Sequence, residues 1–263
     1  AAVLAGFNAS KNPFILTPGD NDWTDCVHLK AHKVDPLERL EKIRAMFYPQ
    51  GRSLGQRSMP VTHQSGDTGY AKFRENLTWS IGGVRYVTLH MVGSNNNLGK
   101  DPRDIAEHAE RSAANDAWLK KAFASAKAEQ ALGLVIITQA NPGFENRWTS
   151  SMKRRYASSI KGLKRPAKTE PTGFDSFLAT ITAEMEGYDR PTLFIHGDTH
   201  LLRISRPLLS AKTKQPFQNF TRVETFGWPD SHWLKITVDP DDSQLFRIRM
   251  ELVQENLVNR RAR

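Results

Sequence analysis

Cysteine is almost missing from this sequence: Cys26 is the single one in 263 residues. No intrachain disulfide can form, so packing alone must hold the fold. Cys26 reads either as a free, half-buried thiol or as one whose partner lay upstream. A chain of this length buries a core large enough to need neither a disulfide nor a structural metal. Long apolar runs are missing too. The longest, residues 133–138 and 191–195, fall far short of the ~20 residues of a membrane span. No basic start followed by an apolar stretch marks a secretory leader. The chain begins Ala1-Ala2-Val3 without methionine, as expected of a processed product, a trimmed chain or a fragment. Acidic residues are the minority charge, 28 against 37 Lys and Arg, which leaves a net charge of +9.

Apolar residues are not scarce. Hydrophobic residues make up 39% and charged residues 25%, which excludes wholesale disorder. The positive excess attracts anions such as phosphate esters, nucleic acid or an acidic surface. Part of it lies in a basic insertion, residues 145–172, and in a tail, residues 253–263, ending Arg260-Arg261-Ala262-Arg263. Solvated surface is the ordinary role of both. No recognition helix, zinc finger or aromatic platform accompanies the charge, so nucleic acid is the least favoured partner. With no internal repeat and no clear linker, residues 1–263 read as a single domain.

Helical and strand patterns alternate through the first two thirds. Residues 13–17 (PFILT) read as a buried strand feeding a turn. Asp35-Pro36 and Asp101-Pro102 each place a capping aspartate before a proline at the first helical position. Helices are therefore expected to about Tyr48 and to about Gln130. Gly82-Gly83 predicts a hairpin turn. Residues 133–138 (GLVIIT) and 191–195 (PTLFI) are continuous apolar runs, as in strands covered on both faces. An amphipathic helix is expected over residues 174–188. Four strands then follow with no helix between them, which predicts antiparallel pairing.

Two acid-rich loops mark the chemistry. Gly19-Asp20-Asn21-Asp22 and His196-Gly197-Asp198-Thr199-His200 are each expected at the C-terminal end of a strand, where open α/β sheets bind ligands. Asp20, Asp22 and Asp198 supply hard oxygens. His196 and His200 add nitrogen, which favours a transition metal over Mg or Ca alone. Asp and Asn are also ordinary turn formers, and a histidine at a strand end is often unremarkable. Two further strand ends carry amides, Asn95 and Asn96 in one loop and Gln139 and Asn141 in another. These serve as neutral ligands, as orienting donors, or simply as loop caps.

The segment Pro18-Gly19-Asp20-Asn21-Asp22-Trp23 resembles the GNHD or GNHE loop of calcineurin-like metallophosphoesterases, and Gly197-Asp198-Thr199-His200 resembles their GHxH loop. Ala117-Trp118-Leu119 resembles the helix segment QxxWL of the same family. The stretches TPGDNDWTDC, GSNNN, HGDTH and NFTRVETFGWPDSHW resemble a divergent bacterial branch. The likeness covers most of residues 13–240. It implies an α/β/β/α sandwich, N-terminally incomplete because the DxH and GDxxD motifs have no counterpart here, with a mainly antiparallel C-terminal sheet.

The resemblance further implies a metal-dependent hydrolase of phosphate esters that acts on an anionic phosphate-containing small molecule. Its metals are divalent: Mn, Zn, Fe or Mg. The ligand positions that correspond are Asp20, Gln139, Asp198 and His200. Asn21 stands where the family has its catalytic histidine, with Asp22 as a substitute acid. His196, Asn95, Asn96 and Asn141 would line the site. Substitution at several ligand positions points to one metal rather than two. The alternatives are a non-catalytic binding or scaffold protein on the same fold, and a basic nucleic-acid-associated protein. The resembling branch is often exported, which implies an extracytoplasmic setting, and a bare strand edge would favour self-association.

Overall fold

The computed structural model describes residues 2–28, 34–99, 101–147, 172–229 and 231–258. The strands are β1 (Thr62–His63), β2 (Leu77–Ile81), β3 (Val84–Thr88), β4 (Gly133–Ile137), β5 (Thr192–His196), β6 (Arg203–Ser205), β7 (Phe220–Glu224), β8 (Trp233–Val238) and β9 (Phe246–Glu251). Seven form one sheet in the order β1-β2-β3-β4-β5-β7-β6, and β8-β9 form a second. The centre of the large sheet is parallel: β3 with β4, β4 with β5, and β5 with β7. The outer pairs β1-β2, β2-β3 and β6-β7 are antiparallel. All four parallel strands therefore end on one side, and their C-terminal loops meet there.

Strand alternation divides the core between the two faces of the sheet. On one face Val87, Leu134, Ile136, Phe194 and Phe220 pack against the long helix Pro102–Ala128 and the helix Asp175–Met185. Trp118, Leu119, Ala122, Phe123 and Ala126 form the buried stripe of the long helix at helical spacing. On the other face Val84, Val135, Leu193 and Val223 meet Leu234, Ile236, Val238, Phe246 and Ile248 of the β8-β9 sheet. The layers are helix, sheet, sheet: a mixed α/β sandwich. A smaller core around Trp23, Leu40, Ile43 and Tyr48 seats the helix Pro36–Phe47 beside the sheet edge.

Local chemistry explains the boundaries. The Asp35 carboxylate accepts from Leu37 N at 2.9 Å and that of Asp101 from Arg103 N at 2.7 Å, so each satisfies one of the helix's orphan donors. Gly82 and Gly83 both have positive φ, 59° and 76°, the pair needed for a tight hairpin whose twist matches its strands.

Two expectations change. Residues 13–17 do not form a strand; they make only an isolated bridge between Phe14 and Leu54. Pro13 and Pro18 flank the run and remove two backbone donors, so a ladder cannot propagate. The first acid-rich loop thus follows an extended segment rather than a strand. The four C-terminal strands pair antiparallel with their chain neighbours, but β6 and β7 join the large sheet while β8 and β9 leave it. Most of the basic insertion and the last residues of the tail lie outside the described residues. No helix among the described residues is long and apolar enough to cross a membrane.

Asp101→Ala removes the cap of the longest helix. It should lower stability by about 1 kcal/mol, read as a shift of the urea midpoint at unchanged slope.

Candidate functional site

Three chain segments converge on Gly93, which follows the β3 strand through Leu89–Val92. A side chain here would begin at a point less than 3.0 Å from both Asp20 Oδ2 and Asp198 Oδ1. The two acid-rich loops, far apart in sequence, therefore aim their carboxylates at one spot. Only a residue without a side chain leaves that spot free.

Each carboxylate is steered by its other oxygen. Asp20 Oδ1 accepts from Asn21 N at 3.0 Å and from Gln139 Nε2 at 3.2 Å. Asp198 Oδ2 accepts from Asn141 N at 3.0 Å. Gln139 bridges the assembly, because its Oε1 accepts from Gly93 N at 2.7 Å. That bond commits the amide oxygen, so Gln139 acts as an orienting group here. Asp198 sits in a left-handed conformation, φ 85°, as does His200, φ 63°. Thr199 between them donates its backbone N–H to Glu224 Oε1 at 3.1 Å, and its hydroxyl donates to the same oxygen. Glu224 is fully buried and is itself held by Arg203 Nε at 2.7 Å. The clamp on Thr199 offsets the backbone strain of its neighbours.

The electrostatics follow from this crowding. Burial raises the pKa of Asp20 above the ordinary carboxylate value; the Asn21 N–H opposes this, and the charges of Asp25 and Asp22 add to it. Burial also raises Asp198, against the Asn141 N–H, and the charges of Asp20 and Glu224 push it further. No Lys or Arg side chain donates to either carboxylate in the described hydrogen bonds.

The remaining expected residues fall in different places. His200 is exposed, and its Nδ1 lies 2.7 Å from the carbonyl of Trp228. A carbonyl only accepts, so Nδ1 carries a proton, and in the neutral ring Nε2 is the acceptor. Asp22 and Asn21 are exposed, and Asp22 Oδ2 accepts from Gly19 N at 2.8 Å, closing the turn. His196 is not among the groups that meet at Gly93. It is buried beside Phe194, its Nδ1 lies 2.8 Å from Gly197 O, and its Nε2 has no partner.

Asn95 and Asn96 belong to a run of four left-handed residues, Ser94–Asn97, with φ between 51° and 61°. Such residues cost roughly 1–2 kcal/mol each unless something fixes them. Here Asn96 Oδ1 accepts from Arg111 Nη1 at 2.5 Å, and Asn96 Nδ2 donates to Gly173 O at 2.9 Å. Asn95 Oδ1 accepts from Gly173 N at 2.9 Å, and Asn97 Nδ2 donates to Glu107 at 2.9 Å. These amides are framework that aims the Gly93 N–H at Gln139.

Beneath the site lies a buried polar chain that pattern reading misses. Trp23 Nε1 donates to His90 Nε2 at 3.1 Å, and His90 Nδ1 lies 2.7 Å from Glu75 Oε1. Glu75 is fully buried and pairs with Arg44, whose Nη2 is 2.6 Å from Oε1. Burial works to raise the pKa of Glu75, but the His90 hydrogen bond and the Arg44 charge outweigh it and bring it down to about 2. Burial likewise lowers His90, against the pull of Glu75. The visible signals were a histidine inside an apolar strand and Arg111 on the apolar stripe of a helix.

The donor set does not fit the two-metal centre that the family resemblance implies. Among the described residues no group of three or more His, Cys, Asp or Glu side chains is disposed to hold a metal. What is present is a pair of carboxylates with neutral amides around them. A hard cation of the Mg type needs no more than one or two carboxylates, with water and phosphate completing its shell.

No family model matches the chain, and no curated protein does. A solved structure described as the structure of PhoD aligns over 84% of this chain at 12% identity, with a TM-score of 0.40. The chain spans 41% of that protein's length. This is a distant likeness.

Burial holds His196 neutral in the fold, with Arg222 and Arg203 adding to the effect against the Gly197 carbonyl, and its pKa falls to about 3. The unfolded chain binds that proton first, near pH 6.5, so stability declines as pH drops from 6.5 toward 3. The contribution is at most about 1.4 kcal/mol per pH unit in this window. His196→Leu should flatten the acid side of a plot of Tm against pH. Asp20 and Asp198, whose pKa values are raised, act with the opposite sign just above pH 3.8.

Proposed function

We propose that the site at Gly93 is a phosphate-ester site of the metal-dependent hydrolase type, built on one hard divalent cation rather than two transition metals. The observation that carries this reading is the convergence of Asp20 Oδ2 and Asp198 Oδ1 on a position that only glycine leaves open. Two like charges drawn together in partial burial are unfavourable by themselves. A dication between them turns the repulsion into attraction, and an anionic phosphate oxygen completes its shell. Asp20 and Asp198 would hold the cation. Bound there, it would neutralise phosphate charge and make a coordinated water more acidic.

The chain's own groups supply the rest. Gln139 and Asn141 fix the two carboxylates, and the clamp of Glu224 on Thr199 fixes the second loop. His200, whose Nδ1 is engaged by the Trp228 carbonyl, leaves its Nε2 near Asp198 as the group able to accept or return a proton. Asn21 is an amide and cannot take that role, and one oxygen of Asp22 is held by the turn bond to Gly19. An extracytoplasmic location belongs to the same proposal.

That two carboxylates, among the described residues, meet at Gly93 also favours a second reading, a non-catalytic binding protein on the same fold. The experiment separates the two. Purified protein is titrated with Mn²⁺ by isothermal calorimetry, then assayed with an aryl phosphate monoester and diester. Binding of one Mn²⁺ with turnover supports the proposal, and binding without turnover selects the second reading. The absence of both overturns the cation site. Gly93→Ala, whose methyl group would displace Asp20, should abolish Mn²⁺ binding and cost about 1–3 kcal/mol through overpacking.

A further inference from the structure

His90 is tied to two of the segments that build the site, directly to the Asp20 loop and through Arg111 to the Gly93 loop. Its ring accepts from Trp23, three residues beyond Asp20, at 3.1 Å. Its carbonyl oxygen accepts from Arg111 Nη1 at 2.9 Å and from Asn115 Nδ2 at 2.8 Å. Arg111 in turn holds Asn96 by both its side-chain and backbone oxygens, at 2.5 and 2.9 Å. The backbone N–H of His90 donates to Asn76 Oδ1 at 2.8 Å. His90 is fully buried, so water cannot substitute for any of these partners.

The partners also dictate which ring nitrogen carries the proton. An indole N–H only donates, so Nε2 must be a bare acceptor. An ionised carboxylate only accepts, so Nδ1 must carry the hydrogen that goes to Glu75. Arg44 keeps Glu75 ionised through three contacts, at 3.0, 3.0 and 2.6 Å. Donation therefore converges on Glu75, from Arg44 on one side and from Trp23 through His90 on the other, and the charge of Glu75 fixes which nitrogen of His90 donates and which accepts.

We propose that His90 is a positioning residue: held as the Nδ1–H tautomer by Glu75, it anchors the Asp20 loop through Trp23 and the Gly93 loop through Arg111, and so sets how closely Asp20 approaches Gly93. The proposal rests on the cation reading only for its functional consequence. The positioning itself is a statement about this chain's own atoms. Besides its apolar packing, the Trp23 ring meets the guanidinium of Arg111, 5.5 Å away, and the edge of the His90 ring. Neither can replace the lost acceptor if His90 presents Nε2–H.

The test uses the full chain labelled with ¹⁵N. Long-range proton–nitrogen correlation spectra of the histidine rings near neutral pH should show His90 neutral, with its proton on Nδ1. A proton on Nε2, or on both nitrogens, overturns the proposal. Trp23→Phe keeps an aromatic ring and removes the donor, with the same loss of volume as Trp118→Phe. It should weaken Mn²⁺ binding by about tenfold or more at a temperature well below unfolding. Trp118→Phe is the control, since its indole N–H donates to Leu77 O, away from the site; it should leave the affinity unchanged. Equal losses in the two variants would mean that Trp23 is merely structural, and would overturn the proposal. His90→Gln, which can donate to Glu75 and accept from Trp23, should retain more affinity than His90→Leu.

If the unaltered protein binds no Mn²⁺, the cation reading falls alone. The amide resonances of Asn21 and Gly93 then decide the positioning. Shifts in Trp23→Phe that Trp118→Phe does not produce support it, and their absence overturns it.

Discussion

Two carboxylates that repel one another are held over a residue with no side chain. That constraint organises this protein. Asp20 and Asp198 arrive from opposite ends of the sequence, on loops of different origin, and Gly93 is the place where both fit. Holding them there requires opposing force. It comes from Gln139, which ties Gly93 to Asp20, from the Asn141 amide on Asp198, and from the Glu224–Thr199 clamp. The sheet supplies the geometry that makes this possible. Four parallel strands end on one side, so loops that are remote in sequence become neighbours.

The polar interior explains why the loops keep their shape. A buried ion pair is weak evidence for stability, because desolvation consumes much of what the charges gain. The Arg44–Glu75 pair is better understood through direction than through energy. It fixes the charge of Glu75, which fixes the tautomer of His90, which orients the indole of Trp23. On the other limb, Arg111 converts the carbonyl of His90 and two oxygens of Asn96 into one rigid unit. The left-handed run Ser94–Asn97 is tolerable only with that support.

Much of this was legible in the sequence where the signal is local. Asp35-Pro36 and Asp101-Pro102 mark helix starts because capping and the missing proline donor act within one turn. Gly82-Gly83 marks its hairpin for an equally local reason. The two acid-rich loops stand out because clustered aspartates after an apolar run are conspicuous. Residues 13–17 have the apolar content of a strand, but Pro13 and Pro18 remove the donors that a ladder needs. His196 drew attention as the first residue of its loop, yet strand alternation turns it toward the phenylalanines of the core. The His90 chain was illegible for a different reason. Trp23, Arg44, Glu75 and His90 come from four separate segments, and the histidine within an apolar run and Arg111 on an apolar helix stripe do not name their partners. Only the fold shows that they address one another.

The central claim is that Asp20 and Asp198 share one site and feel each other's charge. The most direct measurement is the titration of the Asp198 side-chain carboxyl by carbon-detected NMR, in the unaltered protein and in Asp20→Asn, without divalent cations. The Asp198 pKa should start above the ordinary carboxylate value and move down when the neighbouring charge is removed. An Asp198 pKa indifferent to Asp20→Asn would show that the two carboxylates do not meet, and would contradict the account.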